Sequence, residues 1–158
     1  MSQEQAEVSA KQLHKLWRQT GLTVSWSVEN VTVCRRWQRK SGSGAIVNVA
    51  SVNGISPAPY QGVYSVTKVA LISMTRAYAA ELAAKKIRVN ALLPGLTETK
   101  FAGALFDNKE IYDHAIQKIP MKRHAAPEEM AGAVLYLVSE VSSYTTGTMI
   151  TCDGGGLI

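Results

Sequence analysis

From Ala45 to Val49 the chain is almost continuously apolar, with Asn48 as the one interruption. That is the pattern of a short strand buried on both faces. Ile87 to Leu93 repeats it and is stopped by Pro94-Gly95. Between the two, a loop marked by Gly54, Pro57 and Pro59 gives way to a run from about Tyr64 to Ala84 without Pro or Gly, rich in Ala, Leu, Met and Lys. This run predicts a long helix with one apolar face. Residues 96–125 form an excursion with short helical pieces around Phe101–Phe106 and Lys109–Lys118. Pro127, followed by Glu128 and Glu129, opens another helix to about Ser139, with acids near the positive end of its dipole. Gly147 to Cys152 reads as a third strand, and Asp153-Gly154-Gly155-Gly156 follows it. The order strand–helix–strand–helix–strand predicts an α/β fold with a parallel sheet and right-handed crossovers.

The first 43 residues have a different texture. Ala6, Ala10, Leu13 and Trp17 recur at helical spacing and predict a modestly amphipathic helix from about Glu4 to Arg18, ended by Gly21. Leu22 to Val33 holds several β-branched residues without clean alternation, and a basic stretch runs from Arg35 to Lys40. The pattern assigns no element there. Of the net charge of +5, this segment carries +4, and it holds all three tryptophans, Trp17, Trp26 and Trp37. Two domains are therefore expected: an unrelated or frame-shifted extension over residues 1–43, and an α/β unit over 44–158.

Composition removes several classes. Cys34 and Cys152 fit neither a metal spacing nor a disulfide framework. The polar start has no signal-peptide pattern, and no run approaches the length of a membrane span. A cytoplasmic protein with no metal and no membrane association is expected. His14, His114 and His124 are scattered and read as surface residues.

The candidate chemistry lies where the patterning is clearest. Tyr64 and Lys68 are four residues apart near a helix start and so share a face. A tyrosine is a poor acid–base group at neutral pH unless a nearby cation favours its phenolate. So favoured, it can give a proton to a carbonyl being reduced or take one from an alcohol being oxidised. Ser51, at the end of the first strand, can hold the same oxygen as charge develops on it. In isolation a Tyr-x-x-x-Lys pair is weak, and an exposed tyrosine beside a solvated lysine is the commoner meaning. Tyr60 is no rival, because position 64 is itself tyrosine rather than lysine.

Five spaced blocks change those odds: Val47-Asn48-Val49-Ala50-Ser51, Tyr64-Ser65-Val66-Thr67-Lys68, Ile87-Arg88-Val89-Asn90, Pro94-Gly95-Leu96-Thr97-Glu98-Thr99, and Tyr144-Thr145-Thr146-Gly147 through Asp153-Gly154-Gly155. In order and spacing they resemble the short-chain dehydrogenase/reductase family over residues 44–158. The resemblance implies the C-terminal strands and helices of a partial, Rossmann-like, doubly wound parallel sheet. It also implies NAD(P)-dependent oxidoreductase chemistry on a small-molecule carbonyl or alcohol. Tyr64 would be the acid/base and Ser51 the partner of the substrate oxygen. Lys68 would favour the phenolate and bind the nicotinamide ribose. Pro94, Gly95, Leu96, Thr97 and Thr99 would cradle the nicotinamide of NAD or NADP, with Thr99 at the carboxamide. Phe101, Leu105 and Phe106 would line the substrate pocket, or equally belong to the core. Asn48, Asn90 and Asp153 are expected to tie loops and strand ends together. The segments from Pro94 to Phe101 and Met121 to Pro127 resemble the carbonyl-reductase-like branch.

The Gly-rich phosphate-binding turn of the family has no counterpart before Ser51, and the nearest asparagine to the family's fourth catalytic position, Asn30, is out of register. The expectation is a truncated gene product that need not turn over substrate by itself. The alternative is a non-catalytic remnant that associates with a full-length relative, or with a second copy, through exposed apolar positions of the long helix. A nucleic-acid role for the basic Trp-containing arm is set against a solvated extension, and the charge pattern favours the latter.

Overall fold

The computed structural model describes residues 23–26, 31–35, 43–99, 103 and 107–158, the first two stretches through their backbone. Five strands form one mixed sheet in the order β1-β2-β3-β4-β5. They are β1 (Thr23–Trp26), β2 (Val31–Arg35), β3 (Gly44–Val49), β4 (Ile87–Pro94) and β5 (Met149–Cys152). β3 pairs parallel with β4, with Val47 opposite Asn90, and β4 pairs parallel with β5, with Ala91 opposite Met149. This is the parallel α/β arrangement that the patterning predicted.

Two strands were not predicted. β2 runs antiparallel to β3, with Val33 opposite Val47, and β1 runs antiparallel to β2. Three expected strands thus become five. Leu22–Val33 lacks the period-two alternation that marks a half-buried strand, so the residues gave no register signal.

The near-continuous apolar runs of β3 and β4 are explained by burial on both faces. Ala45, Val47 and Leu92 pack with Val134, Leu137 and Val138 of one helix. Ala91 and Leu93 pack with Leu71 and Ile72 of the long helix on the other face. Leu92 points one way and its neighbours the other, as strand geometry requires. Each fully buried Leu or Val contributes about 1.5–3 kcal/mol relative to exposure. The expected polar ties are also present. Asn48 Nδ2 donates to Thr75 Oγ1 at 2.9 Å, in the buried seam between sheet and helix. Asn90 Nδ2 donates to Thr145 O at 3.0 Å. Asp153 Oδ1 accepts from Gly155 N and Oδ2 from Leu157 N, both at 2.9 Å.

The helices shift slightly from expectation. The long helix, α1 (Gly62–Leu82), begins two residues early, tightens into a 3₁₀ turn at Ala83–Lys85, and is ended by Lys86 in the left-handed region (φ 56°). α2 spans Lys109–Gln117, with the Asn108 side chain accepting from Ile111 N at 3.2 Å as its N-cap. The helix expected from Pro127 opens as a 3₁₀ turn, Pro127–Met130, and becomes α3 at Ala131–Val138. The third predicted strand starts at Met149 rather than Gly147, which has φ +74° and turns the chain into it. The amphipathic helix expected at Glu4–Arg18 and the short piece at Phe101–Phe106 lie outside the described residues. Among the described residues, no helix is long and apolar enough to cross a membrane.

Candidate active site

Parallel strands end together, and the carboxyl ends of β3, β4 and β5 bring Ser51, Pro94-Gly95 and Asp153 to one edge of the sheet. Ligands of open α/β sheets bind at that edge. Ser51 follows β3 and is buried, 8% exposed. It caps the 3₁₀ turn Val52–Gly54, its Oγ accepting from Asn53 N at 3.2 Å. Its own hydroxyl proton is not used in that bond and is available to a substrate oxygen.

The turn is pressed onto α1. A Cβ at Gly54 would lie 2.8 Å from Ile72 Cδ1 and 3.1 Å from the Lys68 backbone, so glycine permits the approach. Asn53 Nδ2 also donates to the Gln61 side chain at the start of α1. Ser51 is thereby held against the helix turns that carry Tyr64 and Lys68.

Tyr64 is half-buried and Lys68 is buried, 8% exposed. The ammonium lies 5.3 Å from the Tyr64 ring centroid, within cation–π range. It donates to Val49 O at 3.1 Å, which fixes it between α1 and the end of β3. Loss of water around the ammonium lowers the Lys68 pKa. An ammonium has three donors, and among the described residues Val49 O is the one hydrogen-bond acceptor of Lys68. Two buried N–H groups are left for a hydroxyl-rich ligand, which is the chemistry of a ribose. The residues present therefore fit the nicotinamide side of a dinucleotide.

The segment after β4 is shaped by backbone contacts. Gly95 N donates to Cys152 O at 2.9 Å, and a Cβ at Gly95 would lie 2.7 Å from Asp153 Cα. Thr97 Oγ1 donates to Gly95 O at 3.1 Å. Leu96 O accepts from Ala125 N, and Glu98 N donates to Ala125 O, both at 2.9 Å, as Thr97 and Ala125 form a parallel bridge. Thr99 is exposed at the end of this described stretch. Phe101, Leu105 and Phe106 lie outside the described residues. Tyr60, with φ 62°, is wholly exposed and stands apart from this arrangement.

Three participants were missed from the residues alone: the Val49 carbonyl, Gly54, and His124. A glycine between strand and helix was a signal for Gly54, whereas a carbonyl acceptor has none. His124 is half-buried rather than a plain surface residue, with Nδ1 2.8 Å from the Tyr112 hydroxyl. A cavity of about 620 Å³ opens at the opposite edge of the sheet, beside Gly44, Lys86 and Arg88. The Arg88 guanidinium there is committed to Leu137 O, Ser139 O and Ser142 Oγ at 2.8–3.0 Å, a structural pin for the end of α3. The buried lysine and the serine proton favour the carboxyl edge as the chemical site. Among the described residues, no cluster of three His, Cys, Asp or Glu could hold a metal ion.

The chain is similar to known proteins in sequence and fold. A family model described as enoyl-(acyl carrier protein) reductase, of the short-chain alcohol dehydrogenase type, matches residues 10–156. The chain is 45% identical over 116 residues to dehydrogenase/reductase SDR family member 4 of Oryctolagus cuniculus, covering 73% of this chain and 45% of that protein. It is 44% identical over 119 residues to the 3-oxoacyl-(acyl-carrier-protein) reductase FabG of Thermotoga maritima, covering 75% and 48%. Among solved structures, a gluconate 5-dehydrogenase of Burkholderia cenocepacia in complex with NADP and tartrate superposes with a TM-score of 0.73 at 31% identity, over 75% of this chain and 46% of that one. The chain spans about half the length of the curated relatives it matches.

Proposed function

Because the chain belongs to the short-chain dehydrogenase/reductase family, we propose that residues 44–158 are a catalytic half for NAD(P)-dependent oxidation or reduction, acting on a small-molecule alcohol or carbonyl. The observation that carries this reading is the Lys68 ammonium, buried, anchored by one N–H to Val49 O, and set against the Tyr64 ring. When bound, the nicotinamide supplies or accepts the hydride. Tyr64 gives a proton to the carbonyl oxygen in reduction and takes one from the alcohol in oxidation. Ser51 donates its hydroxyl to the same oxygen and stabilises the charge that builds there. Lys68, set 5.3 Å from the Tyr64 ring centroid, binds the ribose. Gly95, Leu96, Thr97 and Thr99 line the nicotinamide face. Relatives named for 3-oxoacyl and gluconate chemistry support a carbonyl or alcohol substrate.

The chain spans about half the length of its relatives, so turnover by this chain alone is the point to test. Titration of NADPH and NADH, followed by nicotinamide fluorescence, is expected to show saturable binding that Lys68→Met abolishes. Turnover of a simple ketone would add direct support. Absence of binding in the unaltered chain would falsify the assignment.

A second reading has its own observation. Val63, Val66 and Val69 on α1 are 84%, 69% and 47% exposed, an apolar row at the surface. It suits a remnant that associates with a full-length relative or a second copy. Mixed oligomers without cofactor binding would favour this reading over the enzyme.

A further inference from the structure

We propose that Tyr112 and His124 are positioning residues that clasp the segment after Pro94 from its outer side. The inference rests on the assignment of that segment to the nicotinamide end of the cofactor. On its inner side the segment is fixed to β5 by the bond from Gly95 N to Cys152 O. On its outer side, among the described residues, its backbone bonds run to Ala125, which accepts from Glu98 N and donates to Leu96 O, both at 2.9 Å. Ala125 sits in a loop, and a loop is placed only as firmly as its own anchors.

His124, its immediate neighbour, supplies that anchor. Nδ1 lies 2.8 Å from the Tyr112 hydroxyl of α2, and the two rings meet edge-on at 5.9 Å and 65°. On the opposite side of the imidazole, Nε2 is 3.7 Å from Glu98 Oε2. That separation is too long for a hydrogen bond but short enough for electrostatic attraction. In the tautomer in which Nδ1 accepts from Tyr112, Nε2 carries the ring proton and faces the Glu98 carboxylate. One imidazole therefore joins α2 to the segment that Ala125 pairs with.

Two further ties define the reach of the clasp. Met121 N donates to Gly154 O at 3.1 Å, tying the start of the same loop to the β5 end. Arg123 forms paired bonds of 2.7 Å to the Glu129 carboxylate, tying the loop forward to the Pro127–Met130 turn. Both hold the loop to its neighbours. Lys122 Nζ donates to Gln117 O, at the last residue of α2, at 2.7 Å, and the Tyr112–His124 pair holds the loop to α2 beside Glu98. Within the segment, Thr97 folds back on Gly95 O, so its shape depends on both margins being fixed. Small displacements of a group that orients a reacting ligand carry large rate and affinity penalties.

The test is Tyr112→Phe, which deletes one oxygen and keeps the ring. In the full chain, amide hydrogen exchange at Glu98 and Ala125 is expected to quicken about fivefold, the effect of losing one side-chain hydrogen bond. Exchange in β3 and β4 stays as it was, and NADPH binding weakens by a similar factor. His124→Asn, which keeps an acceptor near the Nδ1 position, should recover much of the slow exchange that His124→Leu loses. Tyr136→Phe, which removes a comparable bond of 3.1 Å to Thr145 Oγ1 elsewhere, should change neither readout. Unaltered exchange at Glu98 and Ala125 in Tyr112→Phe overturns the clasp, whether or not cofactor binds. Faster exchange with undiminished NADPH affinity overturns the positioning role. Failure of the unaltered chain to bind NADPH removes the cofactor reading, and the exchange data then decide the clasp by themselves.

Discussion

The Lys68 ammonium donates to the Val49 carbonyl at 3.1 Å, joining α1 to the end of β3 across nineteen residues of sequence. Together with the bond from Asn48 Nδ2 to Thr75 Oγ1, this contact fixes the spacing between the helix that carries Tyr64 and the strand that leads to Ser51. It also keeps the lysine in a place where water cannot fully solvate it.

That placement has a signature in pH. Burial lowers the Lys68 pKa from its ordinary 10.5. Between the lowered value and 10.5 the unfolded chain binds more protons than the folded one, so stability rises with pH across that window. Below the window both states are protonated, and the full cost of burying the ammonium is present. Urea unfolding as pH rises toward 10.5 should show wild-type stability gaining on Lys68→Met. Parallel curves for the two proteins would contradict it.

Removing the phenol oxygen should separate Tyr64 from Tyr60. Where turnover is measurable, Tyr64→Phe is expected to lower kcat by about 10²–10⁴-fold, the usual contribution of a placed acid–base group. Tyr60 is fully exposed, and Tyr60→Phe should leave kcat within about twofold of the unaltered chain, since surface substitutions usually have small effects. Steady-state assays with a simple ketone and NADPH make the comparison.

Gly95→Ala tests the close approach of β4 to β5. The added carbon would meet Asp153 Cα at 2.7 Å, and backbone cannot yield as a side chain does. A loss of about 1–3 kcal/mol in stability is expected from the overpacking, together with weaker NADPH binding. Thermal unfolding within experimental error of the parent would show that the two strand ends can part freely.

Glu129 offers a pH probe of the loop ahead of α3. Its carboxylate accepts two bonds from Arg123 and one from Ala126 N, which hold its pKa down at about 2. Its contribution to stability is present above the ordinary 4.5 and is lost as pH falls through about 2. The pair is exposed, so the effect on overall stability is small. The carboxyl carbon shift should titrate near the lowered value and move toward 4.5 in Arg123→Met; a midpoint indifferent to Arg123 would sink the assignment.

Sequence and structure agree where one apolar pattern had one geometric solution. β3, β4 and α1 were legible because both faces of the sheet are covered, and the observed register buries Val47 and Leu92 in one cluster. Tyr64 and Lys68 were legible because helical spacing puts them on one face. β1 and β2 were not, since the β-branched stretch from Leu22 lacked alternation and its pairing is made by backbone groups common to all residues. The Val49 carbonyl, the Gly54 contact and the Tyr112–His124 pair depend on tertiary proximity, which spacing along the chain does not encode. His124 looked like a lone surface imidazole because its partner is twelve residues away in a separate helix.

The exposed valines of α1 have a thermodynamic consequence. Val63, Val66 and Val69 lie on the helix that carries Tyr64 and Lys68, so a surface that covers them packs against the element bearing the reactive pair. Self-association and ligand affinity would then be linked functions, each shifting the other by the same factor. The apparent melting temperature and the NADPH dissociation constant should both drift with protein concentration in the manner of mass action. Val66→Asp should flatten both dependences, and dilution series by scanning calorimetry and fluorescence would reveal whether it does.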